Sequence, residues 1–130
     1  MTKTIIIDGS NIHDIPSFYK EVNRVFMSEE DWKIGDNLDA LSDMFYGGYG
    51  AIKGDERIDL IWKDFEKNRE DLGLELTKVY YINKLQYPAV FNVNFVKSKL
   101  AELNNGNGQT YFEIILEIIG EHPNIRLIEE

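Results

Sequence analysis

The chain of 130 residues contains no cysteine. That excludes a disulfide framework and a thiolate metal site, and a reducing cytoplasm is the simplest expected location. No run of about 18 apolar residues occurs, so no membrane span is expected. The opening MTKTIIIDG offers three isoleucines before Asp8, too few for a secretory signal core. Histidine is scarce as well. His13 and His122 have no second ligand at metal spacing and read as surface or turn residues, and no metal or cofactor is expected. Basic residues are outnumbered, with 14 Lys and Arg against 23 Asp and Glu and a net charge of -9. A phosphate-binding surface needs clustered Lys and Arg, so direct nucleic-acid binding is not expected. A cationic protein partner and plain solubility both accommodate the acidity.

What is present suffices for a packed core. The chain is 43% hydrophobic and 12% aromatic, and its length suits a single domain over residues 1–130. Thr4–Asp8 reads as a buried strand ending in the Asp8-Gly9 turn. Pro16 suits a first helical turn, followed by Phe18, Val22, Val25 and Phe26 at helical spacing. Asn37 reads as the N-cap of a second helix carrying Leu38, Leu41 and Phe45, which Gly47-Gly48-Tyr49-Gly50 ends. No Gly-Lys-Ser/Thr follows those glycines, so they do not form a phosphate loop. Ile58–Trp62 reads as a second strand, Asp64 to Gly73 as a helix and Thr77–Ile82 as an extended segment. Helices are expected over 92–104 and 110–120, and Ile125–Ile128 is a last strand. Strands separated by helices favour parallel pairing. The expected fold is a small two-layer α/β domain with a three-stranded parallel sheet and packed helices.

The acidity is local. Between Ser28 and Tyr46 six acids face one base, a net of -5, whereas Gly73 to Gly108 holds four lysines against Glu75 and Glu102, a net of +2. Asp39 and Asp43 stand at i, i+4, on one helix face. Like charges at that spacing cost a helix roughly 0.2–0.5 kcal/mol, and Asp43 lies too far along to recover it from the helix dipole. A local choice that opposes stability marks a candidate binding face; a merely solvated acidic face is the competing reading.

The stretch Gly35-Asp36-Asn37-Leu38-Asp39-Ala40-Leu41-Ser42-Asp43 resembles the Y-Y-G-x-N-L-D-A-L-W-D signature of the barstar family of ribonuclease inhibitors. Leu60–Glu66 is similar to that family's strand-to-helix segment with its Trp and Phe-Glu, Phe112–Ile128 to its last helix and strand, and Thr4–Gly9 to its first strand and turn. The likeness spans about residues 3–72 and 109–130, leaving 73–108 as an insertion before the last helix. It implies a non-enzymatic immunity protein or antitoxin whose acids imitate substrate phosphates in the active site of a cationic ribonuclease toxin, as a monomer or in a 1:1 complex. The matching positions are Asp39 and Asp43 on the helix, Tyr46 and Gly47 at its end, and Glu117 on the last helix.

Two departures bear on the target: Lys33-Ile34 replace the aromatic pair, and Ser42 replaces the tryptophan between the aspartates. A barstar-fold inhibitor of a DNase or another cationic toxin enzyme is the alternative. A metal-dependent hydrolase built on Asp39 and Asp43 is weaker, since paired Asp without His or a third positioned ligand makes a poor site. The insertion reads as an added structural subdomain or a second contact surface. In the first case, joining Leu72 to Gln109 through a short Gly-Ser linker should leave a folded domain.

Overall fold

A computed structural model of the chain describes residues 2–130. Its strands are β1 (Lys3–Asp8), β2 (Ile58–Lys63) and β3 (Ile125–Glu129). They form one parallel sheet in the order β1-β2-β3, with Ile5 opposite Leu60 and Leu60 opposite Leu127. The helices are α1 (Ile15–Phe26), α2 (Leu38–Phe45), α3 (Phe65–Asp71), α4 (Leu74–Lys84), α5 (Val93–Asn104) and α6 (Tyr111–Gly120). A short 3-10 turn covers Gly9–Asn11. The expected α/β architecture with a three-stranded parallel sheet is therefore present.

Period-two alternation sets the inner face of the sheet. Ile5 and Ile7, Ile58, Leu60 and Trp62, and Ile125 are buried, while Ile6 on the opposite face is 44% exposed. Thr4–Asp8 is thus half-buried, not wholly buried as its apolar run suggests. Trp62 is the centre of the core. Its indole packs against Phe18, Phe65 and Phe112, at centroid distances of 6.0, 5.6 and 5.3 Å, and its Nε1–H donates to Asn68 Oδ1 at 2.7 Å. The fully buried Asn68 amide in turn donates to the Gly9 carbonyl at 3.1 Å. A Cβ on Gly9 would lie 2.1 Å from the Lys63 carbonyl oxygen and 2.4 Å from Asn68 Oδ1, so this strand end accepts no side chain.

Helix starts follow their caps. The Asp14 and Ser17 capping box opens α1 with Pro16 in its first turn, and Thr110 with Glu113 opens α6 in the same way. Asn37 caps α2 by accepting the Ala40 N–H at 2.8 Å. Asp64 precedes α3 in a left-handed conformation without a side-chain cap bond.

Two further sequence expectations fail. Thr77–Ile82 is helical, within α4. Its β-branched and aromatic residues favour strand locally, but Thr77 and Tyr81 at i, i+4 are both buried and Leu76 and Tyr80 pack on the main core. Burial along one helical face outweighs the local preference. The Thr77 hydroxyl donates to the Gly73 carbonyl at 2.7 Å, so its polar atom is satisfied inside. His122 is the second. It is 4% exposed and not a surface residue, because the turn after α6 folds it beneath Phe45 and Tyr46.

Beyond α4, Tyr81, Val96 and Leu103 form a small separate cluster that joins α4 to α5. The region from 73 to 108 therefore has two parts: α4 lies on the main core, and α5 lies on α4.

Candidate functional site

Helix α2 buries Leu41, Met44 and Phe45. The opposite stripe, Asp39, Asp43 and Tyr46 at i, i+4 and i+7, is exposed, as a 3.6-residue period requires. Among the described residues neither Asp39 nor Asp43 has an ion-pair partner, while Glu21, Glu56, Asp59, Glu66, Asp71 and Glu102 all do. The carboxylates nearest the signature are left facing solvent.

The connector before α2 is held rather than loose. Asn23 on α1 accepts the Ile34 N–H at 2.9 Å and donates back to the Ile34 carbonyl at 3.3 Å, with Ile34 buried as the anchor. Trp32 packs on Tyr49 at a centroid distance of 4.7 Å. Glu30 accepts the Gly50 N–H at 3.3 Å, tying the connector to the glycine turn after α2.

The five predicted positions divide into three places. Asp39 and Glu117 line one groove of about 920 Å³ between α2, α6 and the α4–α5 pair. Glu117 is oriented there by Gln109, whose Nε2–H donates to it at 2.5 Å. Asp43 faces the glycine turn: burial first, and then the Asp43 charge, raises the Tyr49 hydroxyl above its ordinary value. Tyr46 turns around the end of α2 to stand edge-on to His122 at 4.7 Å, lining a different groove with Arg57 and Arg126. Gly47 is conformational. It has φ +84°, its carbonyl accepts the Gly54 N–H at 2.9 Å, and a Cβ there would lie 2.4 Å from the Gly54 carbonyl oxygen. Only glycine closes this turn so tightly.

Sequence reasoning did not single out Glu121, Lys84 or Lys99. Glu121 lies one turn beyond Glu117 and lines both grooves, and the two lysines line the groove opposite Asp39. The spacing Glu113, Glu117, Glu121 is a legible acidic stripe along α6, whereas the placement of the lysines follows from the fold of α4 and α5. Among the described residues no group of three or more His, Asp or Glu converges as a metal site, and no helix is long and apolar enough to cross a membrane.

The family model described as "Barstar (barnase inhibitor)" matches residues 2–95, which include β1, the connector, the α2 stripe, β2, α3 and all of α4. The chain belongs to the barstar family. Members of this family are ribonuclease inhibitors. The match takes in residues 73–95, which the signature-based likeness left in the insertion, and ends before α6 and β3. Neither the comparison with curated proteins nor that with solved structures gives a match.

Proposed function

We propose that this barstar-family chain is a non-enzymatic immunity protein or antitoxin, acting in the cytoplasm, that occludes the active site of a cationic ribonuclease toxin in a 1:1 complex. The observation that carries the reading is the exposed, ion-pair-free Asp39–Asp43 stripe on a helix whose other face is locked into the core. Two carboxylates about one helical turn apart can occupy the positions of successive phosphates in a cleft built for RNA. The helix pays no folding penalty to present them beyond the mild i, i+4 repulsion, because the connector and the glycine turn already fix both of its ends. Glu117 and Glu121 extend the negative surface on one side, and Tyr46 supplies an aromatic edge at the other.

Ser42 between the aspartates and Lys33-Ile34 before the glycine remove aromatic contact area that the family signature carries. This favours a target that is not a close relative of barnase, a DNase being the alternative. The experiment is titration of the purified chain into barnase and into whichever nuclease the reading frames beside its gene are found to encode, with RNA and DNA substrates. Stoichiometric loss of RNA cleavage by the neighbouring nuclease is expected. Loss of DNA cleavage alone would move the target to the DNase class, and neither inhibition nor complex formation with any of these enzymes would overturn the reading.

A further inference from the structure

Among the described residues nine large hydrophobic side chains are exposed, and six of them lie between Leu74 and Phe95. Val79 is 55% exposed, Tyr87 59%, Val90 73% and Phe95 56%. Scattered exposed apolar residues need no explanation, but a concentration in one lobe marks an interaction surface. The lobe also differs in charge from the rest of the molecule. Residues 73–108 net +2 within a chain of -9, so the remainder carries -11.

Lys84 is at the junction. Its Nζ lies 4.4 Å from the Tyr80 ring centroid, 4.9 Å from Phe91 and 6.0 Å from Tyr81. Three aromatic faces thus hold an ammonium group that has no carboxylate partner among the described residues. Lys84 lines the groove that contains Asp39 and Glu117, and it also lines an adjoining apolar groove of about 480 Å³ with Val79, Tyr87 and Ile15. Asp14 and Asp36 also line the apolar groove, so Lys84 is the group in it that favours an incoming carboxylate. A partner seated on Asp39 meets this lobe without a break in the surface.

We infer that the α4–α5 lobe is a second contact surface for the same nuclease, taking a segment in which a carboxylate is flanked by apolar side chains. The inference rests on the inhibitory reading above. Lys84 pairs with the carboxylate, and Val79, Tyr87 and Phe95 take the apolar flank. The target then has a cationic cleft facing α2 and an acidic, apolar patch beside it, and the lobe contributes selectivity among nucleases whose clefts are alike. Because the aromatic faces already orient the Lys84 ammonium, less side-chain entropy is lost on binding. A second copy of the chain is disfavoured as occupant. Lobe against lobe sets like charges together, and lobe against the α2 face would cover Asp39 and Asp43, the carboxylates that the inhibitory reading needs free.

The test takes as its probe a nuclease identified from the reading frames beside this chain's gene and measures its binding to Lys84→Glu, to the pair Val79→Ser with Tyr87→Ser, and to Asp39→Ala, with circular dichroism confirming the fold of each. Both lobe variants are expected to raise Kd by at least about tenfold, as loss of a desolvated interface charge or its apolar surround does. Lobe variants that bind like the wild type while Asp39→Ala loses affinity would overturn the lobe proposal and leave the inhibitory reading standing. Loss of affinity in the lobe variants alone would keep the lobe and remove Asp39 from the interface. No complex with that nuclease would overturn both. An oligomer of the free chain that either lobe variant returns to monomer in sedimentation would assign the lobe to a second copy and overturn the proposal.

Discussion

Thr77 Oγ1 accepts the N–H of Tyr111 at 2.8 Å while its own proton goes to the Gly73 carbonyl at 2.7 Å. The first residue of α6 therefore finds the partner for its otherwise free N–H on α4, in a site with no solvent access. The neighbouring contacts are consistent: Tyr80 meets the Tyr111 ring edge-on at 5.0 Å, and the Tyr111 hydroxyl shares a 2.6 Å hydrogen bond with that of Tyr19 on α1. Burial, above all, holds both of these hydroxyls well above the ordinary phenol range, and the Asp36 charge adds to the effect.

This network leads to a different view of residues 73–108 from a single removable insertion. Thr77→Val should destabilise the protein by about 1–3 kcal/mol, because it strands the buried Tyr111 N–H. We propose that α5 is the detachable part. Thr77 to Leu85 spans roughly 12 Å of helix, so replacing 86–108 by a Gly-Ser linker of about six residues should leave a cooperative unfolding transition. Joining Leu72 to Gln109 through a similar short Gly-Ser linker should abolish that transition or lower its midpoint much further. Equal stability of the two deletions, measured by urea unfolding, would show α4 to be as dispensable as α5.

Asp39→Ala and Asp43→Ala should each weaken binding to the nuclease by ~2–5 kcal/mol, since each leaves a desolvated cation on the partner without its counter-charge. Neither should lower the stability of the free chain, and Asp43→Ala should raise it by a few tenths of a kcal/mol by relieving repulsion from Asp39. Glu56→Ala, whose carboxylate pairs with Lys3 at 3.5 Å, should change affinity little. The wild-type association rate should fall steeply with salt while dissociation changes less. Calorimetry and stopped-flow measurements check both parts, and equal losses for Asp43→Ala and Glu56→Ala would indicate diffuse acidity instead of a plug.

Glu21 is expected to give the chain an acid-sensitive contribution to stability. Its buried carboxylate accepts the Asp8 N–H at 2.8 Å, the Asn11 amide at 3.0 Å and a two-pronged Arg24 contact at 2.8 and 2.7 Å. Burial opposes ionisation, but these four donors outweigh it and hold the pKa below the ordinary glutamate value. A depressed folded-state pKa stabilises above the unfolded value, and that stability is lost as pH falls through the folded one. Glu21→Gln should therefore cost ~2 kcal/mol at pH 7, with the gap to wild type shrinking below about pH 4. A gap that stays constant across an unfolding series from neutral to acid pH would show that ionisation of Glu21 is not its source.

His122 offers a stabilising substitution. Among the described residues its buried Nε2 has no hydrogen-bond partner, and its ring lies 5.7 Å from Phe45 and 4.7 Å from Tyr46. An unsatisfied buried polar atom costs about 1–3 kcal/mol. His122→Phe keeps the ring and removes that atom, so thermal unfolding should show a gain of roughly 1 kcal/mol. A loss instead would mean that the nitrogen is hydrogen-bonded in solution.

The strands, the α1 and α6 faces and the α2 stripe were legible in the residues alone. Their residues repeat at period two or 3.6 and their ends carry caps, so local chemistry and global packing agree. The unmatched acids at 39 and 43 were legible for the same reason: helical spacing alone puts them on one face. The rest depends on long-range packing. Thr77–Ile82 became helix because the core needed Thr77 and Tyr81 on one side and because Thr77 could satisfy Tyr111, a partner 34 residues away. His122 became buried because α2 lies over the turn after α6. Asp39 was placed beside Glu117 and Lys84, Asp43 beside Tyr49, and Tyr46 over His122, by which elements pack around α2. Spacing along a chain fixes which side of a helix a residue takes, but what faces that side is fixed by long-range burial, which leaves no local trace.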